Sequence, residues 1–286
     1  MDIRNITEHP PVVLHGKYLE EIFELQKNLL EGYIGHIERD LPRYPIDIHS
    51  FKGQQVLKDF SARVVEEIAE GYESTTYALA LVDKYGFNLN AMQANEFEML
   101  LNHLQNSNEE QADAMAFYVN LLLYANVSIQ DIYEYCSSKF NTVCDSLEDL
   151  MDVGREIHRR SGYVIDERNL FQVLTDEALE EAGKDVEHVR SYIPAFTQAS
   201  AESHRLEDHM VWSVTYHLNV GRNFLKNKSW KQSQELTDVT RYDEQIVLGF
   251  IKYVGYLAAM GFTPYSLYVL YFKKHKVNKF RQTSGY

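Results

Sequence analysis

Apolar residues recur at helical spacing along most of this chain, and the pattern predicts an all-α protein. In the first helix, predicted over residues 18–37, the apolar positions are Leu19, Ile22, Phe23, Leu29, Tyr33 and Ile37. Further helices are predicted at about 57–83, 90–105, 128–160, 170–190, 240–260 and 263–282. One more should begin at the cap-like segment Asn106-Ser107-Asn108 and run to Tyr124. Thr263 is the predicted N-cap of the last helix. With no alternation of strand and helix patterns, a helical bundle is expected.

Two of these helices carry acidic residues one turn apart. Glu67 and Glu70 have ExxE spacing, and Glu67 lies toward the border of the apolar face of its helix. Glu110 and Asp113 open a helix that is apolar nearly all round over residues 112–123, which predicts burial. Carboxylates that point into a core are costly unless they are paired, protonated or bound to metal. Two such pairs facing each other would offer four oxygen ligands to a hard cation such as Mg²⁺. The alternatives are a solvated acidic face and an acidic first turn favoured by the helix dipole.

Gln26 lies in the middle of the apolar stripe of the first predicted helix. A buried amide must be satisfied, and it can donate and accept hydrogen bonds together, which matches the edge of a pyrimidine base. A core glutamine bonded to a neighbouring helix is the alternative interpretation.

Charge is distributed unevenly along the chain. The 286 residues have a net charge of −14, yet residues 271–286 hold five Lys or Arg and no acid. An acidic body disfavours diffuse binding to nucleic acid, whereas a small polyanion such as a nucleoside triphosphate suits a local basic segment. Lys274, Asn278 and Arg281 share one face of the predicted last helix. The alternative is a solvated basic helix end that complements the helix dipole.

Several classes of protein are disfavoured by composition. The two cysteines, Cys136 and Cys144, form no CxxC motif, which predicts neither a disulfide framework nor a structural zinc site. No apolar run reaches the roughly 20 residues that span a bilayer, and the start has no signal-peptide pattern. A cytoplasmic protein without a membrane partner is expected, in the host cytoplasm if the source is a virus.

Three motifs in this order resemble the all-α nucleoside triphosphate pyrophosphatase superfamily, and within it the dimeric dUTPase branch. Residues 66–70 (EEIAE) match the ExxE motif of that family, and residues 109–113 (EEQAD) match its ExxD motif. Residues 274–286 match its C-terminal signature, KN-x-x-N-x-x-RQ-x-x-GY, although His275 stands where an Asn is usual. The Leu25-Gln26 pair resembles the early helix whose Gln reads the base.

The resemblance implies a single domain over residues 1–286, with a helical insertion or mobile subdomain at about 128–240. It implies hydrolysis of dUTP to dUMP and pyrophosphate by a homodimer. Two or three Mg²⁺ ions, replaceable by Mn²⁺, would bind the four carboxylates, with Glu67 as the general base.

The resemblance also assigns the substrate-binding residues, which are Gln26, Lys274, Asn278, Arg281, Gln282 and Tyr286. Because Leu30 replaces an Asn expected soon after the Gln, dCTP or a broader set of pyrimidine triphosphates is the alternative substrate. A non-enzymatic helical protein that binds a partner or nucleic acid through its basic tail is the remaining alternative.

Overall fold

In a computed structural model the described residues form eight α-helices and no β-strand, which confirms the predicted all-α class. The description covers residues 3, 6–14, 16–34, 37, 40–86, 88, 91–161, 198–226 and 236–284, without the side chains of 198–207. The helices are α1 (Tyr18–Tyr33), α2 (Phe51–Lys84), α3 (Ala94–Tyr124), α4 (Ile129–Phe140), α5 (Leu147–Arg160), α6 (Gln198–Phe224), α7 (Val239–Ala259) and α8 (Pro264–Ser284). The helix predicted over 170–190 lies outside the described residues, and α6 lies within the predicted helical insertion at 128–240, where no individual helix was located from the pattern.

Helix α3 is continuous, so the break predicted at Asn106-Ser107-Asn108 is wrong. These side chains bond to α2 instead of capping a helix. The Asn106 amide donates to Ser74 Oγ at 2.8 Å, and the hydroxyl oxygens of Ser107 and Thr75 lie 3.0 Å apart. Polar residues that resemble a cap in sequence thus serve as contacts between two long antiparallel helices.

Other helix ends also differ from the pattern. Helix α2 begins at Phe51, earlier than predicted, because Ser50 accepts a hydrogen bond from the Gly53 amide and caps the helix. The single helix predicted over 128–160 is two helices, α4 and α5, and Asn141 ends the first in a left-handed conformation with φ 52°. The cap predicted at the start of α8 is confirmed, since Thr263 Oγ1 accepts from the Ser266 amide at 3.1 Å.

One hydrophobic core contains buried side chains from all eight described helices. Helix α8 contributes only residues that precede its basic end. Helix α7 is largely buried and packs against α5 and α6. Side chains such as Leu150 and Val214 join the same core as Ile22, Ile68 and Met115. At the other side of the molecule, α8 packs on α1 and α3, and α3 packs on α2. This arrangement places α1, α2, α3 and α8 around a common junction, where most of the predicted site residues lie.

Across the part of the chain that the structure describes, no single helix is long and apolar enough to cross a bilayer. Two helix pairs, α3 with α4 and α7 with α8, reach that length and composition only together, and they bend by 93° and 101°.

Candidate active site

The two acidic helices, α2 and α3, approach closely at Gly71. A Cβ atom added to Gly71 would lie 2.6 Å from the Gln111 amide nitrogen and 3.4 Å from the Ser107 carbonyl oxygen. The absence of a side chain at Gly71 therefore makes room for the fully buried Gln111. Because Glu70 precedes Gly71 and Glu110 precedes Gln111, this contact brings carboxylates of the two helices together.

Glu67, Glu70 and Glu110 form a carboxylate cluster between α2 and α3. One carboxylate oxygen of each residue lies within 4.8 Å of the other two. Glu67 and Glu110 are half-buried, whereas Glu70 is exposed. Burial, followed by repulsion from Asp113 and other neighbouring carboxyl groups, raises the pKa of Glu67 to about 8. Burial is also the main cause of the raised pKa of Glu110.

Asp113, the fourth predicted ligand, is bound by α8. Its Oδ2 atom lies 2.8 Å from the Lys274 ammonium nitrogen, and the Asn278 side chain also hydrogen-bonds to it. Lys274 is 7% exposed and lies 3.4 Å from a carboxylate oxygen of Glu109. Burial raises the pKa of Asp113, although the charge of Lys274 opposes this shift. The structure therefore gathers three glutamates into one cluster and places Asp113 beside them, paired with a cation.

A pocket of about 230 Å³ adjoins this cluster at the junction of α1, α2, α3 and α8. Each helix contributes residues three or four positions apart, which is a single helix face. The lining residues are Gln26, Leu29, Leu30 and Tyr33 from α1; Phe60, Arg63 and Glu67 from α2; Asp113, Ala116, Phe117 and Asn120 from α3; Asn278 and Arg281 from α8; and Leu41 from a loop. Asp113 and Asn120 are seven residues apart, a rise of about 10 Å along the helix. The pocket thus has a charged end and an amide end with apolar side chains between them.

Gln26 lies at the amide end of the pocket and is 3% exposed. Its amide nitrogen donates to Asn120 Oδ1 at 2.8 Å, and its oxygen accepts from the Tyr271 hydroxyl. Gln26 is therefore both a core glutamine bonded to neighbouring helices and a lining residue of the pocket. The two interpretations that the sequence left open are compatible in this fold.

The C-terminal residues divide between the pocket and the packing of α8. Arg281 is exposed and lines the pocket. The Gln282 amide donates to the Leu29 carbonyl at 2.9 Å, and the same side chain covers Gly32. Gln282 consequently holds α8 against α1 and is not among the lining residues. Tyr286, predicted to cover the nucleotide, lies outside the described residues.

Arg63 and Asn120 line the pocket but were missed in the sequence. Their helix positions held the signal, because Arg63 lies four residues before Glu67 and Asn120 lies seven after Asp113, each on the same face as its acidic partner. The Arg63 guanidinium lies 5.5 Å from the centre of the Phe117 ring. It also pairs with Asp59 at 2.9 Å. Arg63 is therefore the second cationic side chain that lines the pocket, in addition to Arg281 of α8.

Among the described residues, those that could hold a divalent cation together are Glu67, Glu70 and Glu110. Carboxylate oxygens are the ligands that Mg²⁺ and Mn²⁺ prefer in proteins. Lys274 forms salt bridges with Asp113 and Glu109. Among the described residues, none of the three glutamates forms a salt bridge with a basic side chain. A bound cation would therefore offset the repulsion between these carboxylates, which together with burial raises the pKa of Glu67.

No protein-family model, curated protein or solved structure matches this chain significantly. Fold and site together define an all-α protein in which a helix-borne carboxylate cluster adjoins a pocket with an amide end. The resemblance to dimeric dUTPases rests on the three sequence motifs and stays a prediction.

Proposed function

We propose that the protein is a Mg²⁺-dependent pyrophosphohydrolase of deoxynucleoside triphosphates, acting as a homodimer on dUTP to give dUMP and pyrophosphate. The observation that carries the proposal is the continuity of the carboxylate cluster with the pocket, since Glu67 belongs to both. An acidic cluster alone suits many cations. A cluster that opens into a pocket also lined by Arg63 and Arg281, with Lys274 beside Asp113, suits a phosphate ester bound through a cation.

In this proposal Glu67, Glu70 and Glu110 hold the cation, and Asp113 is the fourth ligand one turn along α3. Bound Mg²⁺ supplies a Lewis acid for the phosphate oxygens and lowers the pKa of a coordinated water. Mn²⁺ prefers the same oxygen ligands and is expected to substitute.

The side chains of the protein supply proton transfer and charge neutralisation. Glu67 accepts the proton of the water that attacks the α-phosphorus, as the bond to the β-phosphate oxygen breaks. Lys274 and Arg281 neutralise charge on the departing pyrophosphate, and Asn278 donates to a phosphate or sugar oxygen.

The base occupies the opposite end of the pocket, between apolar side chains and the amide of Gln26. The volume of about 230 Å³ suits a single pyrimidine ring and its sugar better than a larger ligand. dUTP is the proposed substrate, and dCTP or several pyrimidine triphosphates form the alternative. Gln26→Ala is expected to reduce discrimination among the pyrimidine triphosphates.

The test is a panel of deoxynucleoside triphosphates incubated with the protein in Mg²⁺ or in EDTA, with products separated by ion exchange. Monophosphate and pyrophosphate should form only with Mg²⁺, and fastest from dUTP. Glu110→Gln should abolish turnover, whereas Glu66→Gln should leave it unchanged because Glu66 is exposed beside the cluster and outside it. Turnover that survives both EDTA and Glu110→Gln would refute the metal site. No turnover by folded protein would favour the helical binding protein with a basic tail.

A further inference from the structure

Three buried side chains form a hydrogen-bonded chain at the amide end of the pocket. The Tyr271 hydroxyl donates to Gln26 Oε1, and Gln26 Nε2 donates to Asn120 Oδ1 at 2.8 Å. The exposed fractions of the three residues are 2%, 3% and 5%. Tyr271 belongs to α8, Gln26 to α1 and Asn120 to α3, so this chain joins three of the four helices that line the pocket.

The direction of the hydrogen bonds follows from Tyr271. Among the described residues, Gln26 Oε1 is the one acceptor within reach of its hydroxyl group, so the hydroxyl hydrogen must point there. Burial raises the pKa of Tyr271 well above its ordinary value and keeps that hydrogen in place. The Gln26 amide can then take only one orientation, in which its NH₂ group points toward Asn120. Asn120 in turn directs its oxygen toward Gln26.

This orientation leaves hydrogen-bond donors for the pocket. An amide NH₂ group has two hydrogens, of which Gln26 uses one on Asn120. Neither hydrogen of the Asn120 NH₂ group has an acceptor among the described residues, and both side chains line the pocket. The nitrogen atom of Asn120 is not among the enclosed side-chain atoms that lack a hydrogen-bond partner, so it is open to the pocket, where a ligand oxygen can accept from it.

We propose that Asn120, held in one orientation by Tyr271 through Gln26, is a specificity-determining residue that selects a pyrimidine with a carbonyl oxygen at C4. The inference rests on the proposed function and names the base that the site prefers. Uracil presents an oxygen at C4 and accepts from the Asn120 NH₂ group. Cytosine presents an amino group there, so two donors would face each other without an acceptor. Thymine shares the uracil carbonyl, so this contact does not separate those two bases.

The position of Asn120 fits this role. It lies about 10 Å along α3 from Asp113, which is comparable with the reach of an extended nucleotide from its α-phosphate to the far edge of a pyrimidine. Ala116 and Phe117 lie between them on the same helix face and provide apolar contact for the sugar and ring. Discrimination against an unpaired donor in a buried site is expected to be on the order of 10- to 100-fold.

The experiment compares kcat/KM for dUTP and dCTP in the wild type, Asn120→Asp and Tyr271→Phe. Asn120→Asp replaces the donor by an acceptor, so the ratio of dUTP to dCTP should fall by about 10- to 100-fold. Tyr271→Phe preserves the ring but frees the Gln26 amide to rotate, so the ratio should fall while turnover persists. Circular dichroism checks that each variant is folded. A wild type that hydrolyses triphosphates with a ratio unchanged in both variants would overturn the inference and leave the proposed function standing.

Binding of deoxyuridine and deoxycytidine by calorimetry, without phosphate or metal, separates the two proposals. Tighter binding of deoxyuridine by the wild type, with the preference reversed in Asn120→Asp, supports the inference even if no triphosphate is hydrolysed. Equal binding of both nucleosides, or binding of neither, refutes it. Asn219→Asp is the matched control, because Asn219 is exposed on α6 and should leave both preferences unchanged.

Discussion

The ammonium group of Lys274 lies 2.8 Å from the carboxylate of Asp113, and the two side chains retain only 9% and 21% of their exposure to solvent. Burial lowers the pKa of Lys274, but the charges of Asp113 and Glu109 outweigh it and raise the net value, which keeps the ammonium charged. This pair therefore ties the last helix of the chain to the helix that carries half of the proposed metal ligands.

Lys274→Met should destabilise the protein by about 3 kcal/mol, because it leaves the Asp113 carboxylate buried without its cation. Chemical denaturation measures the change. Lys276→Met is the matched control, since Lys276 pairs with the exposed Glu8, and it should cost less than about 1 kcal/mol. Adding Asp113→Asn to Lys274→Met should restore most of the stability without restoring turnover. Equal stability of the two single variants would contradict the importance of the buried pair.

Glu67→Gln should stabilise the protein at alkaline pH in EDTA. The folded-state pKa of Glu67 is raised from 4.5 to about 8, so the folded state holds a proton that the unfolded state releases. The stability that this bound proton gives the folded state is therefore lost as pH rises from 4.5 to 8, and the loss is complete above pH 8. Since the side chain is half-exposed, the gain in Glu67→Gln is on the order of 1 kcal/mol after allowance for solvent screening.

In Mg²⁺ the wild type should be more stable than Glu67→Gln, because the wild type binds the cation and the variant lacks one of its ligands. Thermal unfolding in EDTA and in Mg²⁺ measures both effects, with Glu66→Gln as the control. A wild type whose midpoint does not respond to Mg²⁺ would count against the metal site independently of any assay of activity.

Alanine at three glycines should give three different outcomes. At Gly154 the new Cβ would lie 2.3 Å from the Ile251 carbonyl oxygen, which is backbone, so a loss of about 3 kcal/mol is expected. At Gly71 it would lie 2.6 Å from the end of the Gln111 side chain, and about 1–2 kcal/mol should be lost. At Gly221 the nearest atom is 3.5 Å away, so the better helix propensity of alanine should add about 0.5–1 kcal/mol. Urea unfolding tests the order, and Gly71→Ala should also weaken Mg²⁺ binding.

Stability should decline in mild acid because of His158. Its imidazole is 2% exposed and donates from Nε2 to the Lys252 carbonyl at 3.0 Å, and burial lowers its pKa from 6.5 to about 4. The unfolded state therefore binds more protons between those values, so stability is complete above pH 6.5 and is lost as pH falls toward 4. The loss is about 3 kcal/mol between pH 7 and pH 4. His158→Gln should reduce this pH dependence without abolishing it, because burial also lowers the pKa of His275 to about 4, whereas the exposed His9→Gln should not change it.

Periodicity was a sufficient guide to where α1, α7 and α8 begin, although α1 ends at Tyr33 and not at the predicted residue 37. It failed at Asn106-Ser107-Asn108, whose side chains bond to a neighbouring helix. Sequence alone cannot separate a cap from such a contact, because both use the same short polar side chains. The helix over 198–224 was missed for a related reason, since its apolar positions are interrupted by many polar residues.

For the site, spacing correctly placed Glu67 near Glu70 and Glu110 near Asp113, because residues three apart on a helix share a face. That Glu67, Glu70 and Glu110 meet was a prediction based on chemistry, and the three do lie together. The pairing of Asp113 with Lys274 and the partner of Gln26 on α3 depend on how helices distant in sequence pack. No local pattern carries that information.

The hydrogen bonds that join α8 to α1 connect residues very far apart in the chain. Tyr271 and Gln26 are separated by 245 residues, and Gln282 and Leu29 by 253, whereas the carboxylate cluster joins the consecutive helices α2 and α3. Contacts between consecutive helices form early in folding, and distant ones form late because of the entropy of closing a long loop. The metal ligands are therefore expected to assemble before the base pocket. A cation present during refolding would then accelerate formation of the α2–α3 pair, while a nucleoside would stabilise only the completed protein.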